Sequence, residues 1–188
     1  QTLINASECK KNYLLYVGHR EGYKNFRILI PALKEIKKKY PLELFVVGPP
    51  PTNSELQLIK KNKLNDYIKF KGTESDESLC KLYTDCMAFL YPSLYEGFGY
   101  PLIESMSKGA IPIACKTNCI PEVLGQAGIL VEPNCFQLIE NAVYRIIEDK
   151  SFRKKLELCS IKRSKEFCFK KNIRSTLTVY KKVVSNEA

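Results

Sequence analysis

Glu96 and Glu104 stand eight positions apart in the stretch Tyr91-Pro92-Ser93-Leu94-Tyr95-Glu96-Gly97-Phe98-Gly99-Tyr100-Pro101-Leu102-Ile103-Glu104, around a Gly-Phe-Gly turn. Carboxylates accept hydrogen bonds from hydroxyls, and a glycine loop running into a helix start aims free main-chain N–H groups at an anion. A ligand with phosphates and several hydroxyls suits that pairing. Gly97 and Gly99 offer backbone angles and close approach that a Cβ would block. A second group lies near the other end of the chain, in Gly18-His19-Arg20-Glu21-Gly22-Tyr23-Lys24-Asn25. Arg20 and Lys24 bracket a turn at Gly22, where a planar fork and a compact ammonium would meet one anion. The competing reading is a pair of solvated surface cations. The loop matches neither G-x-G-x-x-G nor G-x-x-x-x-G-K-[ST], which excludes the dinucleotide and P-loop readings.

These groups need elements to hold them. Ala88 to Tyr91 is an apolar strand before the glutamate loop, and a helix runs from Pro101 to Lys108 with Gly109 as its stop. Tyr13 to Val17 is a strand before the basic loop. Asn25, a candidate N-cap, opens a helix to Tyr40 that tolerates Pro31 near its first turns. Further strands are expected at Leu42–Val47, Ile68–Phe70, Ile111–Cys115 and Gly128–Val131. Further helices are expected at Ser54–Asn62, Asp76–Asp85, Asn134–Glu148, Ser151–Phe167 and Asn172–Val184. This β–α alternation predicts an α/β fold, a Rossmann-like parallel sheet with helices on both faces. Strand-to-helix loops gather at the carboxyl edge of such a sheet, where ligands bind. One domain is expected over residues 1–188.

The chain has 188 residues and a net charge of +10, from 30 basic and 20 acidic residues. That balance favours acidic partners such as nucleotide phosphates, unless the lysines only decorate helix faces. Nothing resembles aromatics interleaved on a basic face, so no nucleic acid is expected. No apolar run approaches the length of a membrane span. The eight Cys form no C-x-x-C pair and His19 is the only His, so neither a zinc site nor a disulfide framework is expected. Cys115 and Cys119 read as buried and inert, His19 as exposed, and Glu122 as a structural residue capping or pairing in a loop. The amino terminus lacks Met and reads as part of a longer chain.

The two motifs together resemble the carboxyl-terminal half of glycosyltransferase family 4, retaining enzymes of the GT-B architecture. The likeness starts at Tyr16-Val17-Gly18 with its Arg20/Lys24 loop. It continues through Val46-Val47-Gly48-Pro49 and Ile68-Lys69-Phe70-Lys71-Gly72, and peaks at Pro92 to Met106. It runs on to Gly109, Pro112 and Ile120-Pro121-Glu122-Val123. It implies a donor-binding domain whose amino-terminal acceptor domain is absent from this chain. It implies that Arg20 and Lys24 bind the donor diphosphate and neutralise the leaving group, and that Glu104 accepts from the ribose. Glu96 would hold the transferred sugar with the N–H groups of Gly97, Phe98, Gly99 and Tyr100, which makes Glu96, Arg20 and Lys24 the catalytic set. Thr73 and Leu79 would flank the base. Tyr100, Lys108 and Pro112 depart from the family's usual pattern without touching these contacts.

The implied function is transfer of a hexose from a UDP- or GDP-linked sugar to a glycan or lipid-linked acceptor in polysaccharide biosynthesis. No metal or other cofactor is expected. The implied setting is cytoplasmic or peripheral to the inner face of the membrane, with the amino-terminal domain as partner. The alternatives are a nucleotide-sugar-binding module without transfer activity of its own, and a GT-B-like sugar-nucleotide epimerase.

Overall fold

The computed structural model describes residues 13–167 and 169–185. Six strands form one wholly parallel sheet: β1 (Tyr13–Val17), β2 (Glu43–Val47), β3 (Ile68–Gly72), β4 (Ala88–Tyr91), β5 (Pro112–Cys115) and β6 (Ile129–Val131). Their order across the sheet is β3-β2-β1-β4-β5-β6. The chain therefore builds outward from β1 in one direction, then returns and builds outward in the other. Right-handed crossovers place the helices of the two halves on opposite faces. On the first face lie α1 (Leu29–Lys39), α2 (Asn53–Lys61) and α6 (Phe136–Glu148). On the other lie α3 (Asp76–Asp85), α4 (Tyr100–Ser107) and α5 (Ile120–Leu124). α7 (Lys150–Ser164) packs on both α4 and α6, and α8 (Phe169–Val184) follows.

β1, β4, β5 and β6 are apolar throughout because both faces are covered, whereas β2 opens on Glu43 and the edge strand β3 carries Lys69 and Lys71. Along β1, Leu14 and Tyr16 join the core under α1 and α6, while Tyr13 and Leu15 join the core under α3 and α4. β4 divides in the same way, Ala88 and Leu90 to one side and Phe89 and Tyr91 to the other.

The expected element order holds, with instructive differences at the ends. The first helix does not begin at Asn25. Two short 3-10 turns, Gly22–Lys24 and Phe26–Ile28, come first, and α1 starts at Leu29 with Pro31 in its first turn, where a missing N–H costs nothing. Asn25 does not cap a helix. It takes a left-handed φ of 53° between the two turns, a conformation Asn tolerates better than most residues. Glu122 lies in the short helix α5 rather than in a loop, with its side chain exposed. The carbonyls of Glu122 and Val123 accept from Arg163 of α7, which ties the end of α5 down. Cys9 and Cys168 lie outside the described residues.

Candidate functional site

The direction of building reverses between β1 and β4, which pair side by side. A crevice opens above such a switch point because the two following loops diverge to opposite faces. Both sequence motifs emerge there. The loop after β1 carries Arg20 and Lys24, and the loop after β4 carries Glu96 to Gly99. The loops are joined: Leu94 N–H donates to the Tyr23 carbonyl at 2.7 Å. Lys24 Nζ donates to Glu96 Oε1 at 2.8 Å, with the side chains 20% and 11% exposed. Lys24 also lies over the rings of Tyr23 and Tyr91, 5.2 and 5.8 Å from their centroids.

Burial alone would push the Glu96 carboxyl up. The Lys24 hydrogen bond and the neighbouring Ser93 and Tyr91 hydroxyls outweigh it, and the group ends below the ordinary carboxylate range. Glu96 is therefore charged at neutral pH although mostly shielded from water. Burial and the Glu96 charge push the Tyr91 phenol up, which keeps it protonated. Cys119 Sγ donates to the Glu96 carbonyl and fixes the loop from the other side.

Helix α4 begins immediately after this pair. Its N-cap is Gly99 at φ 88°, and no side chain caps the first turn. A left-handed residue is needed there to swing the chain from loop to helix, and only Gly takes that φ without cost. A Cβ would in addition meet Leu102 Cδ1 at 3.2 Å. The N–H groups of Gly97, Phe98 and Gly99 make no hydrogen bond among the described residues. Gly97 differs from the expectation: its φ is not positive and a Cβ would meet open space, so any need for Gly there is close approach alone. Phe98 and Tyr100 are exposed and meet edge to face at 5.2 Å. Glu104 stands in the second turn of α4, exposed and without an ion pair among the described residues. Its charge adds to the burial that raises the Tyr83 phenol of α3.

Arg20 points elsewhere. It is 7% exposed and committed through four hydrogen bonds. Nε donates to Glu55 Oε1 at 2.7 Å, Nη2 to Glu55 Oε2 at 3.2 Å, Nη1 to the Pro49 carbonyl at 2.8 Å and Nη2 to the Pro50 carbonyl at 2.8 Å. Its guanidinium lies 5.2 Å from the Phe70 ring centroid. The cation expected beside Lys24 on a shared anion is thus turned toward the β2–α2 loop. The physical reason is Glu55, whose charge sequence reasoning passed over. The signal was the Thr52-x-x-Glu55 pattern of a capping box, which the structure contains in full. Glu55 Oε2 closes the box and also takes Arg20 Nη2, while Oε1 takes Arg20 Nε.

Thr73 is exposed in the turn after β3, and Leu79 is half-buried in the first turn of α3 against the core that also holds Leu102 and Tyr83. Neither contacts the Lys24–Glu96 pair in the structure. Cys115 is buried, donates to the Pro92 carbonyl, and has its thiol pushed up to about 11 by burial. A separate polar cavity of about 450 Å³ lies between the loops after β1 and β2, lined by Arg20, Gly22, Asn25, Arg27, Thr52 and Glu55 among others. Among the described residues, no three His, Cys, Asp or Glu side chains converge as metal ligands would.

A doubly wound parallel sheet with helices on both faces, an uncapped helix N-terminus and a charged pair at its switch point define the class: a Rossmann-like α/β domain whose strand-to-helix loops gather at the carboxyl edge, where such folds place ligands. The family follows from comparison. The profile of the group 1 glycosyl transferases matches residues 4–163, and the chain belongs to that family. The O-antigen chain mannosyltransferase B of Escherichia coli is 32% identical over 176 residues, which span 91% of this chain and 46% of that protein. The chain thus spans about half the length of this curated relative. The crystallised carboxyl-terminal domain of LpcC, a group 1 glycosyl transferase from Francisella tularensis, superposes with a TM-score of 0.73 at 25% identity, covering 85% of this chain and 87% of that one. Anabaena Alr3699/HepE, solved with UDP and glucose, superposes with a TM-score of 0.81 at 22% identity over 90% of this chain and 49% of its own.

Proposed function

We propose that this chain is the donor-binding domain of a retaining GT-B glycosyltransferase that moves a hexose from a nucleoside diphosphate sugar to a glycan or lipid-linked acceptor. The observation that carries the reading is the Lys24–Glu96 pair, 2.8 Å apart, in front of the uncapped first turn of α4. Phosphate oxygens would take the free N–H groups of Gly97 to Gly99 and the Lys24 ammonium. Ribose hydroxyls would donate to Glu104, and hydroxyls of the transferred sugar to Glu96. As the bond from the anomeric carbon to phosphate breaks, positive charge grows on the sugar and negative charge on the departing diphosphate. A fixed cation and a helix N-terminus act best on charge that develops in the transition state. That arrangement stabilises the leaving group without a divalent metal. Retention of configuration and family 4 membership extend the family assignment by resemblance. The naming of several relatives as mannosyltransferases makes mannose the first donor sugar to test.

The second domain in this reading supplies the acceptor side. α8 supports it, since residues 172–185 are exposed and Ile173, Leu177, Tyr180 and Val184 repeat at helical spacing along it. An amphipathic helix with its apolar stripe in water suits a partner surface, here the amino-terminal half of the same protein. No helix among the described residues is long and apolar enough to cross a membrane.

Calorimetric titration of the chain with UDP, GDP and ADP tests the reading. One-site binding of at least one diphosphate, with the parent nucleoside binding far more weakly, is expected. Equal affinity for nucleoside and nucleoside diphosphate would remove the phosphate site and the reading with it.

A further inference from the structure

Arg20 and Lys24 are four residues apart in one loop, yet they face opposite neighbours. On the β2 side, Arg20 grips Glu55 and the carbonyls of Pro49 and Pro50. On the β4 side, the Tyr23 carbonyl takes Leu94 N–H and Lys24 takes Glu96. The loop is stretched between two anchors. The sheet gives it little other support, because β1 ends at Val17 and the following helical pieces are single 3-10 turns. The Arg20 anchor is itself rigid. Glu55 is fixed by the capping box of α2, and its carboxyl lies below the ordinary range, because bonds from Arg20 and Thr52 outweigh the rise that burial would cause. The proline-rich loop that receives the guanidinium is braced where Gly48 N–H donates to the Gly72 carbonyl.

Resting on the donor-site reading above, we infer that Arg20 and Glu55 are a positioning pair, which sets the loop so that Lys24 reaches the phosphate site while Arg20 itself stays on Glu55. An arginine held on a bidentate carboxylate and two carbonyls has its fork filled. Swinging it to a ligand would leave Glu55 shielded from water without its cation. The diphosphate therefore meets one side-chain cation from this loop, Lys24. Specificity for the anion comes from Lys24 and the α4 amides.

The test reads positioning first without any ligand. The Glu96 carboxyl is titrated by carbon-detected NMR in the wild type and in Lys24→Ala, Glu55→Gln and Arg20→Ala. Its value is held low by Lys24, so loosening the Arg20 anchor is expected to raise it in Glu55→Gln and Arg20→Ala, and Lys24→Ala to raise it most. Glu55→Gln preserves the capping box, in which Gln is accepted, so it remains informative should Arg20→Ala fail to fold. An unmoved Glu96 titration in a folded Glu55→Gln would overturn the inference and leave the donor-site reading intact.

Nucleoside diphosphate affinity is the second arm. Arg20→Ala and Glu55→Ala are expected to weaken binding by a similar factor, about 5-fold, and the double variant by no more than the worse single, as residues acting through one contact do. If Arg20 touches phosphate, Arg20→Ala loses far more than Glu55→Ala and loses it again in the Glu55→Ala background, which overturns the inference. Loss of the effect of Lys24→Ala would instead overturn the donor-site reading.

Discussion

Replacing Lys24 by Met removes a charge while keeping a stem to pack between the Tyr23 and Tyr91 rings. The consequence can be worked from the surroundings of Glu96. Breaking a fully buried pair by removing one partner costs about 3–5 kcal/mol, whereas exposed pairs contribute about 0–1 kcal/mol. With side chains 20% and 11% exposed, the Lys24–Glu96 pair lies between these limits. About 2 kcal/mol is the expected loss at pH 7, and for a domain of this size that lowers Tm by about 4–8 °C. The pH dependence separates this cause from lost packing. In the wild type the Glu96 carboxyl titrates below its ordinary value, so the stability it contributes is full above about pH 4.3 and is lost as pH falls through the lowered value. In Lys24→Met the burial that raises Glu96 acts with its strongest opponent gone, and the value moves up. The shielded charge then destabilises the variant at pH 7, and the penalty disappears once the group is protonated. Both effects widen the gap at neutral pH and close it on acidification. Thermal unfolding followed by circular dichroism at pH 7, 5 and 4 measures the gap. A Tm difference constant across that range, or no difference at pH 7, would refute the reasoning.

Glu104→Ala leaves stability within about 0.5 kcal/mol, because the side chain is exposed and unpaired among the described residues. It weakens nucleoside diphosphate binding about 10-fold or more, the worth of a hydrogen bond to a charged group, and calorimetry would show both. Gly48→Ala places a Cβ 2.4 Å from the Gly18 carbonyl oxygen at a φ of 145°, and is expected to yield little folded protein by hydrogen exchange of β1 and β2 amides. Cys115, buried with its thiol raised to about 11, is expected to resist aromatic disulfide reagents at pH 8 until the protein is unfolded in denaturant, as timed absorbance readings would show.

The sequence carries the sheet clearly because most strands are short apolar runs, four of them ending at Gly18, Gly48, Gly72 or Pro92, and helices such as α1, α6 and α8 repeat their apolar residues at helical spacing. Helix α5 has five residues, too few for periodicity to show, which is why Glu122 reads from sequence as a loop residue. Asn25 misled because the residue types that cap helices also tolerate a left-handed φ, and only the three-dimensional path decides between the two uses. Glu96 and Lys24 were legible as a charged loop and a basic loop. That they touch is a fact of topology, set by β1 and β4 being neighbours at the switch point. Arg20 shows what spacing leaves out. Its distance from Lys24 in the chain is right for a shared anion, but the direction of its side chain is decided by Glu55, 35 residues away.

A crystal structure of the chain soaked with the nucleoside diphosphate it binds best shows most directly where the diphosphate sits. Phosphate oxygens within about 3 Å of Lys24 Nζ and of the Gly97 to Gly99 amides, with the ribose hydroxyls on Glu104, are expected. Phosphates in the polar cavity beside Arg27 and Thr52, with Lys24 still on Glu96 and nothing at the start of α4, would contradict that placement.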